Sequence, residues 1–170
     1  MKKNNEESSF EYIEFHKSPV HGMGGFAKKT IPKGTKIIEY IGDKITKKES
    51  DRRSEHVLNA AKENPEKGAV YIFALNKRYD IDGNVQWNPA RWLNHSCDGN
   101  AQAQNLNGHI WIVAKKTILP GTEITYNYGY DVENWEEHLC RCGAKCCVGH
   151  IVAKEQWKKL AKLKAKKKEN

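Results

Sequence analysis

Five cysteines carry the first chemical signal. Cys97 stands alone, while Cys140, Cys142, Cys146 and Cys147 crowd around Gly143. An odd count, with no apolar stretch after Met1-Lys2-Lys3, argues against a disulfide framework and against a classical secretory signal. Thiolates this dense on a glycine-containing turn point to Zn2+, whose structural sites take four nitrogen or sulfur ligands in a tetrahedron. Adjacent Cys146 and Cys147 rarely both reach one ion, so the cluster supplies three ligands and the fourth comes from afar, with Cys97 the candidate. A purely local four-ligand site and a set of reduced surface thiols are the alternatives. Two further groups stand out: Asn94-His95 just before Cys97, and the alternating Tyr126 and Tyr128. Alone, the first is a polar turn and the second the packing of a strand face.

The elements that must position these groups are short. Phe10–Phe15 alternates apolar and polar side chains as an edge strand would. Gly22, Gly24 and Gly25 read as a loop where backbone comes close to something. Lys36–Ile41 reads as a strand. Thr46-Lys-Lys-Glu49 is a capping box that opens a helix running to about Lys62, closed by Asn64-Pro65. Ala69–Leu75 and Tyr79–Asp82 are strand-like, and Asp80 and Asp82 suit structural hydrogen bonds better than acid catalysis. Asn107-Gly108 is a hairpin turn between 101–106 and 109–114. Glu123–Tyr128 is the last strand. One internal echo links Ala27-Lys-Lys-Thr-Ile-Pro-Lys-Gly-Thr-Lys-Ile37 to Ala114-Lys-Lys-Thr-Ile-Leu-Pro-Gly-Thr-Glu-Ile124, identical at eight of eleven positions. Two copies are too few for a solenoid, so they read as two strand–turn–strand corners of one β architecture. The class is mostly β, a β-rich α+β fold.

Charge is unevenly spread. The 170 residues carry a formal net charge of +8 and a mean hydropathy of −0.81. No apolar run approaches the ~20 residues of a membrane span, so no membrane partner is expected. Residues 154–170 hold eight lysines against two acids, so the remainder carries only +2 of the +8. Such a tail is either a solvated, partly helical appendage or an anchor for nucleic acid. Trp157, Leu160 and Leu163 recur every three residues, so one helical face could dock on the body.

Three pieces in fixed order are more specific than any one of them. They are Arg91-Trp-Leu-Asn-His-Ser-Cys97 followed by Asn100, then Gly121-Thr-Glu-Ile-Thr-Tyr-Asn-Tyr-Gly129, then Cys140-Arg-Cys142-Gly143 with Cys147 and Gly149. Together they resemble the SET-domain protein lysine methyltransferases with a post-SET zinc motif, over roughly Phe10 to Ile151. His21–Ala27 is similar to the family's first cofactor loop, and Glu39-Tyr-Ile-Gly-Asp43 to its Tyr-x-Gly-Glu strand, with Asp for Glu. Trp87 stands for a family Gly, and Gly99 for a Pro.

The resemblance implies a β-clip-like fold with a knot-like C-terminal crossing. It divides the chain into a SET domain at 10–135 with a helical insertion near 47–62, a post-SET zinc turn at 136–152 and a basic tail at 153–170. Residues 1–9 read as disordered. It implies S-adenosylmethionine as cofactor, met by Gly22, Met23, Gly24, Asn94, His95 and Tyr128. It implies catalytic roles for Tyr128 and Tyr126, and a lysine channel of Tyr40, Tyr71, Phe73 and Tyr126. It gives Cys97, Cys140, Cys142 and Cys147 to one zinc and leaves Cys146 spare. Arg91 and Glu123 become structural. A Tyr at 126 favours mono- or dimethylation. Implied substrates are histone-like proteins, with a monomer in the cytoplasm or at chromatin. The competing reading is an inactive, zinc-containing basic module that binds nucleic acid or chromatin, which leaves the two tyrosines and Asn94-His95 without a task.

Overall fold

The computed structural model describes residues 10–63 and 70–169. The N-terminal segment 1–9, the Asn64-Pro65 break and position 69 lie outside the described residues. Four small sheets make up the body. Strand β1 (Ile13–Lys17) pairs antiparallel with β2 (Met23–Ala27). Strand β3 (Lys36–Tyr40) pairs with β9 (His109–Ala114), which also pairs with β8 (Ala101–Leu106). Strand β6 (Tyr79–Asp82) lies between β4 (Asp43–Thr46) and β5 (Ile72–Ala74). The two-residue strands β7 (Asn94–His95) and β10 (Thr125–Tyr126) run parallel. The mostly β class expected from sequence holds.

The internal echo has a structural meaning. Ile31 and Ile118, equivalent positions of the two copies, exchange backbone hydrogen bonds of 2.8 and 2.9 Å. Ala27 N–H donates to Thr122 and Ala114 N–H donates to the matching Thr35, both at 3.0 Å. Gly121 and Gly34 N–H groups return bonds of 2.8 Å to Ala27 and Ala114. Each copy thus supplies the corner that satisfies the other's strand end, about a local pseudo-twofold axis. Gly34 and Gly121 hold the corners at φ of +86° and +73°, where a side chain would be strained.

Glycines set the close approaches. The stretch read as a glycine loop is strand β2, and only Gly22, at φ +49°, belongs to the turn. A Cβ at Gly25 would overlap Leu93 and Ile13, and one at Gly24 would meet Glu123 Oε1 at 2.5 Å. Neighbouring side chains fill the space that theirs would need. Gly99 likewise lies flat on the 125–126 backbone, where a Cβ would sit 2.6 Å from Thr125 O. The 96–100 loop therefore crosses directly over the segment that carries Tyr126. Asn100 fastens that crossing, donating to Glu123 O at 2.7 Å and accepting from Thr125 N–H at 3.0 Å.

Other boundaries differ from the sequence reading. The first strand starts at Ile13, not Phe10. The last strand stops at Tyr126, not Tyr128, because the Tyr128 N–H turns to the His95 ring and Gly129 bends away at φ +72°. Helix α1 (Lys47–Glu63) takes half its capping box: Thr46 Oγ1 accepts from Glu49 N–H, while the Glu49 carboxylate binds Arg52 and Arg53. Asp80 pairs with Lys47, and Asp82 with Arg53 at 2.6 Å, so both acids are structural.

The C-terminal lysine-rich segment forms helix α2 (Trp157–Glu169), docked by one face. Leu160, 1% exposed, packs with Val132 and Val152 in a second small core, with Trp135, Val148, Trp157 and Leu163 around it. Burying such a leucine is worth about 1.5–3 kcal/mol. The exposed Lys167–Glu136 pair adds at most about 1 kcal/mol. Apolar contact, not charge, holds the helix.

Candidate active site

Several backbone segments converge on one cavity of about 490 Å³. Its floor is the crossing of β7 and β10. One wall comes from 20–23 and 91–93, another from Tyr40 and residues 70–73, and the roof from residues 136–142. Of the residues singled out in sequence, Gly22, Met23, Asn94, His95, Tyr40, Tyr71, Phe73, Tyr126 and Tyr128 all line it. Gly24 does not: on β2 it faces Glu123 and Ser18 instead.

The polar end is built by Asn94. Its amide donates to the backbone carbonyls of His21 and Met23 at 3.1 and 3.0 Å and to Glu123 Oε1 at 2.8 Å. Glu123 also accepts from Ser18 Oγ at 2.8 Å. Asn94 and Glu123 therefore fix the 18–23 turn at the rim. Arg91 lines the same wall, its guanidinium 4.3 Å over the Trp92 ring.

The apolar end is a run of rings in contact, stacked at Phe73–Tyr126 and tilted at the other pairs. Tyr40 and Phe73 lie 4.5 Å apart, Phe73 and Tyr126 6.0 Å, and Tyr126 and Tyr128 5.1 Å. The run continues through Tyr130 at 5.6 Å from Tyr128, and His138 at 4.6 Å from Tyr130. The sequence reading passed over both, although Tyr130 extends the 126, 128 alternation by one step. Tyr130 donates to Val70 O at 2.6 Å and Tyr40 to Tyr71 O at 2.9 Å, so their rings are held in place. Tyr128 Oη donates to Leu93 O at 2.9 Å, and no group among the described residues donates to Oη. Among the described residues the Tyr126 hydroxyl has no hydrogen-bond partner. Burial pushes Tyr40, Tyr126 and Tyr128 well above the usual phenol range, so all three stay neutral near pH 7.

Beneath the roof, the sulfurs of Cys97, Cys140, Cys142 and Cys147 lie within 4.8 Å of one another. Cys97 Sγ is 3.8 Å from both Cys140 and Cys147. A tetrahedron with zinc–sulfur bonds of about 2.3 Å has edges of about 3.8 Å. The four sulfurs thus fit a zinc ion, and the purely local site is excluded because Cys146 is exposed and outside the group. Burial opposes ionisation of Cys142, but the N–H groups of Cys97 and Ala144 and the neighbouring thiols outweigh it and bring its pKa down to about 7. Bound metal would hold the roof through Cys140 and Cys142, which line the cavity themselves.

A β-rich clip with a cysteine-clasped roof and an aromatic channel beside an Asn-His strand defines a class. The family model described as SET domain matches residues 22–129, more than half of the chain. This chain belongs to the SET domain family. It is 34% identical over 143 residues to histone-lysine N-methyltransferase set-2 of Caenorhabditis elegans, covering 82% of this chain and 9% of that protein. It is 34% identical over 148 residues to human histone-lysine N-methyltransferase 2B, covering 84% of this chain and 5% of that one. A Cryptococcus neoformans histone-lysine N-methyltransferase, H3 lysine-4 specific, is 33% identical over 146 residues, covering 82% of this chain and 10% of that protein. The chain therefore spans a tenth or less of these three relatives.

The metal count follows from the geometry. Purified protein is expected to carry one zinc per chain by elemental analysis. Cys146→Ser should keep it, and Cys142→Ser should lose most of it. Equal zinc in the two variants would contradict the assignment of ligands.

Proposed function

We propose that the chain is an S-adenosylmethionine-dependent protein-lysine N-methyltransferase with a structural zinc. The observation that carries this reading is one cavity with two unlike ends meeting at Tyr126 and Tyr128. A backbone-lined polar rim at 21–23 and 91–95 suits a zwitterionic cofactor, and an aromatic channel at Tyr40, Tyr71 and Phe73 suits a lysine side chain. S-adenosylmethionine, bound at the rim, would supply a methyl group on a positively charged sulfur.

The chain's own residues then have defined tasks. Free lysine has a pKa near 10.4, so the amine must lose a proton before it attacks. An apolar, aromatic channel disfavours the ammonium and promotes that loss. The ring faces also tolerate a passing cation. The neutral phenols do not take the proton; they orient. Tyr128, fixed by its bond to Leu93 O, offers oxygen lone pairs toward the transferring methyl. Alignment of this kind is worth several kcal/mol of barrier. The unpaired Tyr126 hydroxyl can keep a water in the channel, which leaves room for one or two methyl groups. Helix α1 flanks β4 and β6 and would help to receive a peptide that adds as a strand.

The names of the relatives point to histone or similar basic chromosomal lysines as substrate, with chromatin as the place of action. We propose a monomer for the working state. Among the described residues no helix is long and apolar enough to cross a membrane. In a methyl-transfer assay on histone H3 peptides, Tyr128→Phe is expected to lose most activity, and Tyr126→Phe to shift the product mass toward more methyl groups. Activity unaffected by Tyr128→Phe would overturn the mechanism. No transfer by the parent protein to any basic substrate would favour the inactive binding module.

We also propose nucleic acid as a partner of α2. Lys158, Lys162 and Lys166 are exposed and recur at four-residue spacing, on the face away from Leu160. Changing these three to Gln should lower duplex DNA affinity and reduce the slope of log affinity on log salt by about 3. An unchanged slope would remove this partner.

A further inference from the structure

We propose that the His95 side chain is a positioning residue that ties the zinc clasp to the catalytic tyrosine. This inference rests on the zinc and Tyr128 assignments above. Nothing in the sequence pattern gave the imidazole a task beyond the backbone role of its strand.

Both ring nitrogens are engaged. Nδ1 accepts from the Tyr128 backbone N–H at 3.2 Å. Nε2 lies 3.5 Å from Cys97 Sγ. A neutral imidazole that accepts at Nδ1 carries its proton on Nε2, so the ring donates to the Cys97 sulfur. The residue is 5% exposed, and a ring nitrogen that accepts a backbone N–H carries no proton, so the geometry itself requires the neutral ring. With both nitrogens committed, His95 has no lone pair left for a substrate proton, so it does not act as a general base.

The spacing makes the link possible. Residues two apart on extended chain project to the same side, which brings the His95 ring and the Cys97 sulfur together. Opposite, β10 ends at Tyr126, whose carbonyl accepts from Ser96 N–H at 3.0 Å. The next outward-facing amide, that of Tyr128, has no strand carbonyl to meet, and the imidazole takes that place. Tyr128 is thereby held at two points: its backbone by His95 and its hydroxyl by Leu93 O. Metal-bound thiolates are oriented by donors such as the Nε2–H, and losing such a donor typically costs 10–100-fold in metal affinity.

Two half-replacements separate the arms. The His95→Asn amide oxygen reaches the Nδ1 position but offers no donor to Cys97. The His95→Gln amide nitrogen reaches the Nε2 position but offers no acceptor to Tyr128. Zinc affinity is measured on the full chain by chelator competition. The cobalt-substituted protein reports sulfur–metal charge transfer in its absorption spectrum, and kcat and cofactor KM come from methyl transfer. We expect His95→Asn to lose about 10–100-fold in zinc affinity and to shift the cobalt spectrum. We expect His95→Gln to keep the parent's zinc affinity while kcat falls on the order of 10–100-fold with KM little changed. A parent that holds zinc while both variants match its affinity and spectrum overturns the link alone. A parent that takes up no metal overturns the clasp, and the link with it.

Discussion

Three sulfur atoms from residues 140–147 meet a fourth from Cys97 within 4.8 Å, and the enclosure of the cavity depends on that meeting. Cys97 belongs to the body, two residues past the Asn-His strand. Cys140, Cys142 and Cys147 belong to the roof. Apart from them, the roof and α2 meet in a small core around Val132, Val152 and Leu160. Burial of one leucine is worth about 1.5–3 kcal/mol. Structural zinc in small peptides is worth about 10–16 kcal/mol at neutral pH. A zinc ion held by the four sulfurs would be the stronger fastening, and α2 adds a bond of its own: Lys164 Nζ donates to Val148 O at 2.7 Å, beside Cys147.

Beneath the roof the chemistry depends on what stays uncharged. The buried phenols remain protonated and the His95 ring accepts the Tyr128 N–H at Nδ1, so the channel holds aromatic faces and oriented lone pairs in place of fixed charge. That environment favours a neutral amine over an ammonium and suits a reaction governed by alignment. The crossing of the 96–100 loop over residues 125–126 supplies the alignment. It presses backbone on backbone where Gly99 meets Thr125 and Tyr126.

Much of this was legible in the residues. The cysteine spacing asked for three local ligands and a distant fourth at Cys97, and the resemblance to SET domains chose Cys147 and left Cys146 aside. The Asn107-Gly108 hairpin and the paired corners at Ile31 and Ile118 were visible as a turn signal and an internal echo. Other features were not, for physical reasons. The Met23-Gly-Gly-Phe-Ala27 strand looked like a loop because glycine disfavours strands. Here Glu123, Leu93 and Ile13 occupy the space where side chains would stand, and no local signal reports that. The last strand ended two residues early because an imidazole replaced a carbonyl as partner. Tyr130 and His138 join the aromatic run only once the roof folds over, although the tyrosine alternation already contained the first of them.

The central claim is that a metal clasp closes a roof over a body that folds without it. Hydrogen exchange of the full chain, with zinc bound and after chelation, tests this directly. The account predicts that amides from about 136 to 152 lose protection on chelation, while those of β3, β8 and β9 keep theirs. Unchanged exchange across the roof, or loss of protection throughout the β3–β9–β8 sheet, would contradict it.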